Sequence, residues 1–221
     1  MSEFGPYLLG ERLGEGATAE VYRARARTGG PEVALKILRL EQALDPRKLA
    51  RFQREGAVAA RLEHPGIVRV HSAGQVGSVP YLAYQLVVPA ETLSAAFSRL
   101  DLAGRLELTR QVVEAVAYAH AEGILHRDLK PDNVLVTDGR ALVADFGLAR
   151  HLEDGRLTRT GGMVGTPVYM SPELLGGNTP DASSDLWALG VMLYEAICGQ
   201  LPFPATTYVS LIAAQGTTLE F

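Results

Sequence analysis

The feature that most constrains this chain is a run of eight residues in which charged and amide side chains keep a fixed spacing. The run is His126-Arg127-Asp128-Leu129-Lys130-Pro131-Asp132-Asn133, and Asp145-Phe146-Gly147 begins 12 residues after its end. Asp128 can position a hydroxyl group, Lys130 can neutralise phosphate charge, and the oxygens of Asn133 and Asp145 suit Mg²⁺. Phosphoryl transfer leaves mainly these tasks to a protein, because its transition state is loose. The pattern therefore predicts a site of phosphate chemistry.

Both motifs resemble those of the protein kinases, and Asp-Leu-Lys-Pro-Asp-Asn is the form typical of serine/threonine kinases. The chain has 18 arginines and three lysines, yet Lys36 and Lys130 both fall on kinase motifs. An ammonium group and a guanidinium group are not interchangeable at a phosphate, which indicates that chemistry selected these two lysines. The arginine excess suggests a bacterial genome. The chain is identified as a member of the bacterial Hanks-type serine/threonine kinases, over residues 7–215.

The resemblance implies an α+β fold with two lobes. We expect a kinase domain over residues 1–221, with an antiparallel β lobe and one helix at about residues 1–87. A mainly α-helical lobe should follow at about residues 88–221. Because the family usually continues with further helices, we expect this second lobe to be incomplete and some apolar surface to be bare.

Local patterns in the sequence agree with this division. Alternating β-branched and aromatic residues separated by glycine-rich turns predict hairpins in residues 7–38. Apolar spacing predicts a helix over Arg47–Leu62, with Asp45 as its cap and Pro46 in its first turn. Further strands are predicted near Ile67–His71 and Val79–Val87. In the second lobe the pattern predicts helices at Leu102–Ala121, Ser183–Cys198 and Tyr208–Gln215, and a hairpin whose turn is Asp138-Gly139.

Composition narrows the partners. The net charge of −4 at pH 7 provides no basic stripe for nucleic acid, so no nucleic-acid partner is predicted. The single cysteine, Cys198, cannot form an internal disulfide and fits a reducing compartment. The N-terminus lacks the pattern of a signal peptide, and no apolar run is long enough to span a bilayer. We expect a cytoplasmic protein, with any membrane anchor outside this chain.

A glycine-rich motif near the N-terminus predicts nucleotide binding. Gly14-x-Gly16 lies in a strand–turn–strand and does not open a helix, which argues against a dinucleotide fold. Taken alone, it could be a plain glycine-rich hairpin, and Ala19 replaces the third glycine of the kinase pattern. The resemblance implies that ATP is bound by Leu13, Gly14, Glu15, Gly16, Val21, Ala34, Lys36, Gln85, Val87 and Leu135. It places Tyr84 at the gatekeeper position.

The resemblance assigns the catalytic roles. Lys36 is expected to reach the α- and β-phosphates and to pair with Glu55, with Glu63 as the second choice. Asp128 is expected to orient the substrate hydroxyl and receive its proton, while Lys130 steadies the γ-phosphate. Asn133 and Asp145 would bind Mg²⁺, with Mn²⁺ as an alternative.

Other residues are expected to support or regulate the site. Arg127 would grip a phosphorylated activation loop, whose autophosphorylation sites would be Thr158 and Thr160. Thr166 is expected to dock the substrate. His126 and Phe146 would pack in the core, and Asp185 would hold the backbone of the catalytic loop.

Glu173 usually pairs with an arginine further on, yet no arginine follows Arg159. We therefore expect an unpaired, partly buried carboxylate, which would cost on the order of 3–5 kcal/mol.

Two functions remain open from sequence. The first is a non-specific serine/threonine protein kinase in signal transduction, which uses ATP and Mg²⁺ on protein serines and threonines. It could form a homodimer for autophosphorylation in trans. The alternative is a weak or inactive nucleotide-binding pseudokinase fragment that acts as a scaffold. A small-molecule phosphotransferase is disfavoured, because Gly165–Glu173 resembles a docking platform for a protein substrate.

Overall fold

The chain divides into two compact units, Met1–Ala90 and Glu91–Phe221. The computed structural model describes residues 2–16, 18–146, 167–203 and 208–216, with the side chains of Arg51, Glu55, Tyr208 and Val209 left out. Within these ranges the first unit is an antiparallel sheet with helices, and the second is mainly helical. The predicted α+β fold is confirmed. The division falls three residues beyond the boundary of 87 expected from sequence.

The described part of the first unit contains a six-stranded antiparallel sheet with the order β1-β2-β3-β4-β6-β5. Its strands are β1 (Ser2–Phe4), β2 (Tyr7–Glu15), β3 (Ala19–Ala26), β4 (Glu32–Leu38), β5 (Val70–Val76) and β6 (Val79–Gln85). Two helices, α1 (Leu40–Ala43) and α2 (Pro46–Ala59), connect β4 to β5. A core cluster that includes Tyr7, Val33 and Leu35 packs on one face of this sheet.

Local chemistry explains most of these elements. Asp45 caps α2 by accepting the backbone N–H of Arg47 at 2.9 Å, and Pro46 occupies the first turn, as predicted. The predicted strand at Ile67–His71 begins later, at Val70. Ile67 and Val68 are instead buried in the connection before the strand, with 3% and 6% of their surfaces exposed. Short apolar runs do not distinguish these two outcomes.

The second unit contains a three-stranded sheet and five α-helices among its described residues. The strands are β7 (Glu91–Thr92), β8 (Val134–Thr137) and β9 (Arg140–Val143). The helices are α3 (Leu93–Arg99), α4 (Leu102–Ala121), α5 (Pro172–Leu175), α6 (Ala182–Cys198) and α7 (Tyr208–Gln215). Asp138 and Gly139 form the turn of the predicted hairpin with φ of +48° and +70°, and this pair of left-handed residues is typical of a two-residue hairpin.

Helices α4 and α6 pack against each other in antiparallel directions. His120, at the end of α4, contacts Asp185 near the start of α6, whereas Arg105 near the start of α4 lies beside Gly199 after the end of α6. Each helix buries only one side in the described structure. The apolar residues Leu106 and Val113 of α4 and Leu193 and Ile197 of α6 are exposed in the described structure. In the part of the chain that the structure describes, no helix combines the length and the hydropathy that crossing a membrane requires.

Candidate active site

The carboxylate of Asp128 is held by two side chains from its own loop. Lys130 donates from Nζ to Oδ2 of Asp128 at 2.9 Å. Asn133 donates from Nδ2 to the same oxygen at 3.3 Å and to the backbone oxygen of Asp128 at 2.7 Å. All three side chains are half-buried, which limits the number of rotamers they can adopt. The loop therefore presents a carboxylate of defined orientation next to a fixed positive charge.

A buried carboxylate from α6 supports this loop. Asp185 is 1% exposed and accepts the backbone N–H groups of His126 and Arg127, each at 2.8 Å. Its Oδ2 also lies 2.8 Å from Nε2 of His120. Arg127 has φ of +71°, a conformation that non-glycine residues rarely adopt, so these bonds hold the loop where the backbone alone would not stay.

Sequence reasoning missed the part that His120 plays. It lies in the last turn of α4, six residues before His126. Through its contact with Asp185, His120 helps to support the loop. The signal available in the sequence was its position at the end of a predicted helix that leads directly into the catalytic motif.

His126 connects the loop to the segment that carries Asp145. Its ring is fully buried, its Nε2 lies 2.9 Å from the backbone oxygen of Ala144, and its Nδ1 accepts the N–H of Asp128 at 3.3 Å. The ring also packs on Phe146, with 4.7 Å between centroids. Because Nδ1 accepts a bond, the proton belongs on Nε2, which donates to Ala144. Burial lowers the pKa of His126, which favours this neutral form.

Asn133 and Asp145 are brought to the same end of the β8–β9 hairpin. Val134 pairs with Val143, and Ala144 donates its N–H to the oxygen of Asn133 at 2.8 Å, which extends that pairing by one step. Since Nδ2 of Asn133 is bonded to Asp128, its Oδ1 is the atom able to bind a cation. No cluster of three or more His, Cys, Asp or Glu suited to a metal occurs in the described ranges. An amide and a carboxylate oxygen fit Mg²⁺, which usually takes few protein ligands beside water and phosphate oxygens.

A cleft lies beside Asp128 within the second unit. Its walls are residues 127–130 of the loop, Tyr169, Met170 and Leu174, and Ser184, Asp185 and Ala188 of α6. The cleft therefore joins the candidate base to the segment that sequence analysis assigned to protein docking. Gly147, Thr158, Thr160 and Thr166 lie outside the described residues.

In the first unit, several of the candidate nucleotide-binding residues share one face of the sheet. Gly14 pairs with Val21, Val21 pairs with Lys36, and Ala34 pairs with Tyr84, so their side chains project to the same side. Lys36 is 9% exposed, and its Nζ lies 5.9 Å from the centroid of the Tyr84 ring. This face therefore combines a nearly buried cation with small and apolar side chains.

The glycine-rich hairpin leaves room for a ligand. A Cβ added at Gly14 would meet no atom within 4 Å, and one at Gly16 would meet only the backbone oxygen of Ala19, at 3.5 Å. Neither residue has the positive φ that would itself require glycine. The packing of the unit does not explain these glycines, whereas close approach of a phosphate to the backbone would.

The other residues predicted to contact the nucleotide differ in their exposure. Leu13 is 41% exposed, Gln85 and Val87 are half-buried at and beyond the end of β6, and Leu135 is half-buried on β8 of the second unit. The N–H of Gln85 donates to the backbone oxygen of Arg69 at 2.8 Å. That donor is therefore already engaged within the first unit.

The side chain of Glu55, the expected partner of Lys36, lies outside the described residues. The backbone of α2 nevertheless approaches the relevant strand. A Cβ at Gly56 would lie 2.3 Å from Leu82, and Leu82 is the cross-strand neighbour of Lys36. The second choice, Glu63, is exposed and pairs with Arg69 at 2.6 Å. The structure therefore supports neither burial of Glu63 nor a catalytic role for it.

Glu173 corrects an expectation. It was expected to be partly buried and costly, but its side chain is exposed in the first turn of α5. Solvent there stabilises the charge, and a carboxylate at a helix N-terminus is favourable. No desolvation penalty arises from it.

Arg127 has an unsatisfied donor. Its Nε is buried and has no hydrogen-bond partner within the described residues. Buried polar groups normally have a hydrogen-bond partner, so we expect this Nε to donate to an acceptor. A phosphate group or carboxylate would match a guanidinium in that position.

The comparisons with known proteins agree with the geometry. The profile of the family described as "Protein kinase domain" matches residues 7–219. The chain belongs to the protein kinase family. It is 40% identical to the probable serine/threonine-protein kinase SCO3848 of Streptomyces coelicolor over 94% of this chain and 32% of that protein. It is 37% identical to the serine/threonine-protein kinase PknB of Mycobacterium tuberculosis over 93% of this chain and 34% of that protein.

A solved structure shows the same fold. The kinase domain of PknI from Mycobacterium tuberculosis matches with a TM-score of 0.73 and 32% identity, over 92% of this chain and 78% of that one. This kinase domain is therefore of the bacterial Hanks type, with the predicted fold. The chain spans about a third of the length of the two curated relatives named above.

The support of the loop by Asp185 predicts a large difference between two acidic residues. Asp185→Ala leaves buried backbone donors of His126 and Arg127 unsatisfied, so we expect it to lower the free energy of unfolding by about 2–5 kcal/mol. Glu173→Ala removes an exposed carboxylate at a helix N-terminus, and we expect a loss of less than about 1 kcal/mol. Urea unfolding followed by circular dichroism measures both. Equal losses in the two variants would contradict the assignment.

The burial of His126 predicts the direction of a titration. The ordinary pKa is 6.5, and burial lowers it in the folded state. The unfolded chain therefore takes up a proton first as the pH falls, and we expect stability from this residue to be lost progressively below about pH 6.5. NMR of the imidazole resonances, assigned with a His126→Asn variant, measures the midpoint. A midpoint at or above 6.5 would show that the ring is not held neutral.

Proposed function

We propose that this domain transfers the γ-phosphoryl group of ATP to serine or threonine hydroxyls of proteins. The observation that carries the proposal is the Asp128 carboxylate, oriented by Lys130 and Asn133 and open to a cleft that also contains Tyr169 and Met170. Membership of the family and the names of its relatives, which are serine/threonine kinases, support the choice of reaction.

The chemistry follows from the oriented carboxylate. The substrate hydroxyl oxygen forms a bond to the γ-phosphorus as the bond to the β–γ bridging oxygen breaks, and ADP leaves. Asp128 accepts a hydrogen bond from that hydroxyl and takes its proton as the transfer proceeds. Lys130 is already fixed 2.9 Å from the carboxylate, so its charge is placed beside the developing phosphate charge without further reorganisation.

The residues proposed for the ATP phosphates lie in the first unit, and those proposed for the metal lie in the second. Gly14, Gly16 and Lys36 would take the phosphates, since they combine approachable backbone with a nearly buried ammonium group. Asn133 and Asp145 would hold the divalent cation, for which we propose Mg²⁺ rather than Mn²⁺. A bound divalent cation would neutralise phosphate charge. We propose that the reaction takes place in the cytoplasm, where ATP is available.

The proposal predicts activity that depends on Asp128. The purified 221-residue chain, incubated with labelled ATP, Mg²⁺ and a basic protein such as myelin basic protein, should produce phosphoserine or phosphothreonine. Asp128→Asn keeps the size of the side chain but loses the proton acceptor, so we expect a fall in kcat of about 10²-fold or more. The control is Asp138→Asn, an exposed turn residue with φ of +48°, a conformation that asparagine tolerates.

Three outcomes are informative. Transfer by the parent and by the Asp138→Asn variant, but not by Asp128→Asn, supports the kinase. Thermal stabilisation by ATP without transfer would overturn it in favour of the nucleotide-binding scaffold. Transfer that survives in Asp128→Asn would show that another group accepts the proton.

We further propose that Thr158 and Thr160 are autophosphorylated and that the resulting phosphate is held by Arg127. The unsatisfied Nε of Arg127 supports this, since a phosphate would supply the missing acceptor. Mass spectrometry of active protein should find phosphate on at least one of the two threonines, and Thr158→Ala with Thr160→Ala should remove it. Active protein without phosphate on either residue would refute the assignment.

A separate experiment tests whether autophosphorylation occurs between two copies of the chain. The active chain is mixed with an Asp128→Asn chain of different mass. Label on the inactive chain shows transfer in trans, which a homodimer would favour. Label confined to the active chain shows transfer in cis.

A further inference from the structure

Four charged side chains surround the tip of the glycine-rich hairpin. Arg12 contacts Glu15 at 2.7 Å and Glu20 at 3.7 Å. Arg39, directly after β4, bonds to Glu15 and lies 3.5 Å from Glu20. We call Arg12, Glu15, Glu20 and Arg39 the hairpin clamp. It joins the two strands of the hairpin to the end of the next strand with two positive and two negative charges.

The clamp lies on the opposite face of the sheet from Val21 and Lys36, so Glu15, which the resemblance placed among the ATP contacts, could contact a nucleotide on that face only through its backbone. Glu15 pairs directly with Glu20, and Arg12 pairs with Tyr22, whereas Gly14 pairs with Val21. Successive side chains of a strand point to opposite faces, so the clamp cannot share a face with Val21 and Lys36. Its effect on a nucleotide must therefore pass through the shape of the hairpin or through charge alone.

The main chain of the hairpin is weakly determined without the clamp. The pairing of β2 with β3 shifts register on both sides of Arg12, between Leu9 and Arg12 and again between Arg12 and Gly14. Gly14 has no side chain to pack. The tip is closed by the N–H of Gly16, which donates to Ala19 at 2.9 Å, and by the N–H of Arg39, which donates to Thr18 at 2.9 Å. Irregular pairing of this kind leaves the strand free to bend unless other contacts hold it.

The negative charge of Glu15 is favoured by its two arginine neighbours. Hydrogen bonding to Arg39, and the charge of Arg12, lower the pKa of Glu15. Single exposed ion pairs contribute little, but here two arginines share two glutamates across three consecutive segments. Tyr22 adds a further bond to Glu20 at 2.8 Å.

We propose that Arg12, Glu15, Glu20 and Arg39 are positioning residues that hold the glycine-rich hairpin in the shape that receives the phosphates of ATP. This inference rests on the proposed function for its ligand but not for its structural part. A hairpin that is already ordered loses less entropy when the nucleotide binds, so the clamp strengthens ATP binding without touching it.

Two variants of opposite charge separate positioning from simple electrostatics. Glu15→Gln adds a net positive charge near the hairpin, and Arg39→Gln adds a net negative one. If the clamp acts by position, both should weaken ATP binding by about two- to fivefold, the range expected for ion pairs of this exposure. Both should also speed hydrogen exchange at the amide of Gly16 in the absence of nucleotide. The matched control is Arg27→Gln, whose partner Glu3 lies 3.2 Å away in an exposed pair on the same sheet.

The experiment uses the 221-residue chain, with calorimetry for ATP affinity and NMR or mass spectrometry for exchange. The double variant Glu15→Gln/Arg39→Gln should lose less than the sum of the two single variants, because both singles remove the contact between Arg39 and Glu15. Raised NaCl should reproduce the faster exchange in the parent and change the double variant little.

The result that overturns the proposal is tighter ATP binding by Glu15→Gln with weaker binding by Arg39→Gln, which is the signature of charge alone. Unchanged exchange at Gly16 in both variants would overturn it as well. If the parent binds no ATP, the proposed kinase function fails, and the exchange measurement still decides whether the clamp orders the hairpin.

Discussion

The buried carboxylate of Asp185 is the contact on which the candidate catalytic loop depends. It accepts two backbone N–H groups and lies beside His120, and through these bonds it holds Arg127 at a positive φ. Asp128 follows directly, so the direction of the candidate catalytic carboxylate is set by a residue 57 positions later in the chain. A charge this deeply buried is tolerated because donors surround it, and removing it would leave those donors unsatisfied.

Other polar side chains of the site also hold their neighbours in place by hydrogen bonds. Burial favours the neutral form of His126, which joins the loop to Ala144 and packs at a tilt against Phe146. Asn133 uses its amide nitrogen to hold Asp128. The groups proposed to contact the metal and the phosphates are then a small set: oxygens from Asn133 and Asp145, and the ammonium group that Lys130 holds beside Asp128. The catalytic unit is a polar network in which most members serve to orient a few reactive atoms.

In the first unit, ion pairs rather than buried hydrogen bonds hold the candidate binding segment. Its glycine-rich hairpin has irregular pairing and no side chains at Gly14 and Gly16, which gives a phosphate close access to the backbone but leaves the hairpin soft. The hairpin clamp on the other face compensates with charge–charge contacts that span three segments. A phosphate can approach the hairpin on one face while the clamp orders it from the other, because successive side chains of a strand point to opposite sides.

Sequence alone determined the local features of this protein. The catalytic motif, the cap at Asp45, the helix at Leu102–Ala121 and the Asp138-Gly139 turn follow from short-range chemistry that neighbouring residues contain. Tertiary structure decided the rest: the late start of β5, the elements β1, α1, β7 and α3, the exposure of Leu193 and Glu173, and the role of His120. Burial and hydrogen-bond partners depend on which distant segment packs against a residue, and no local pattern contains that information.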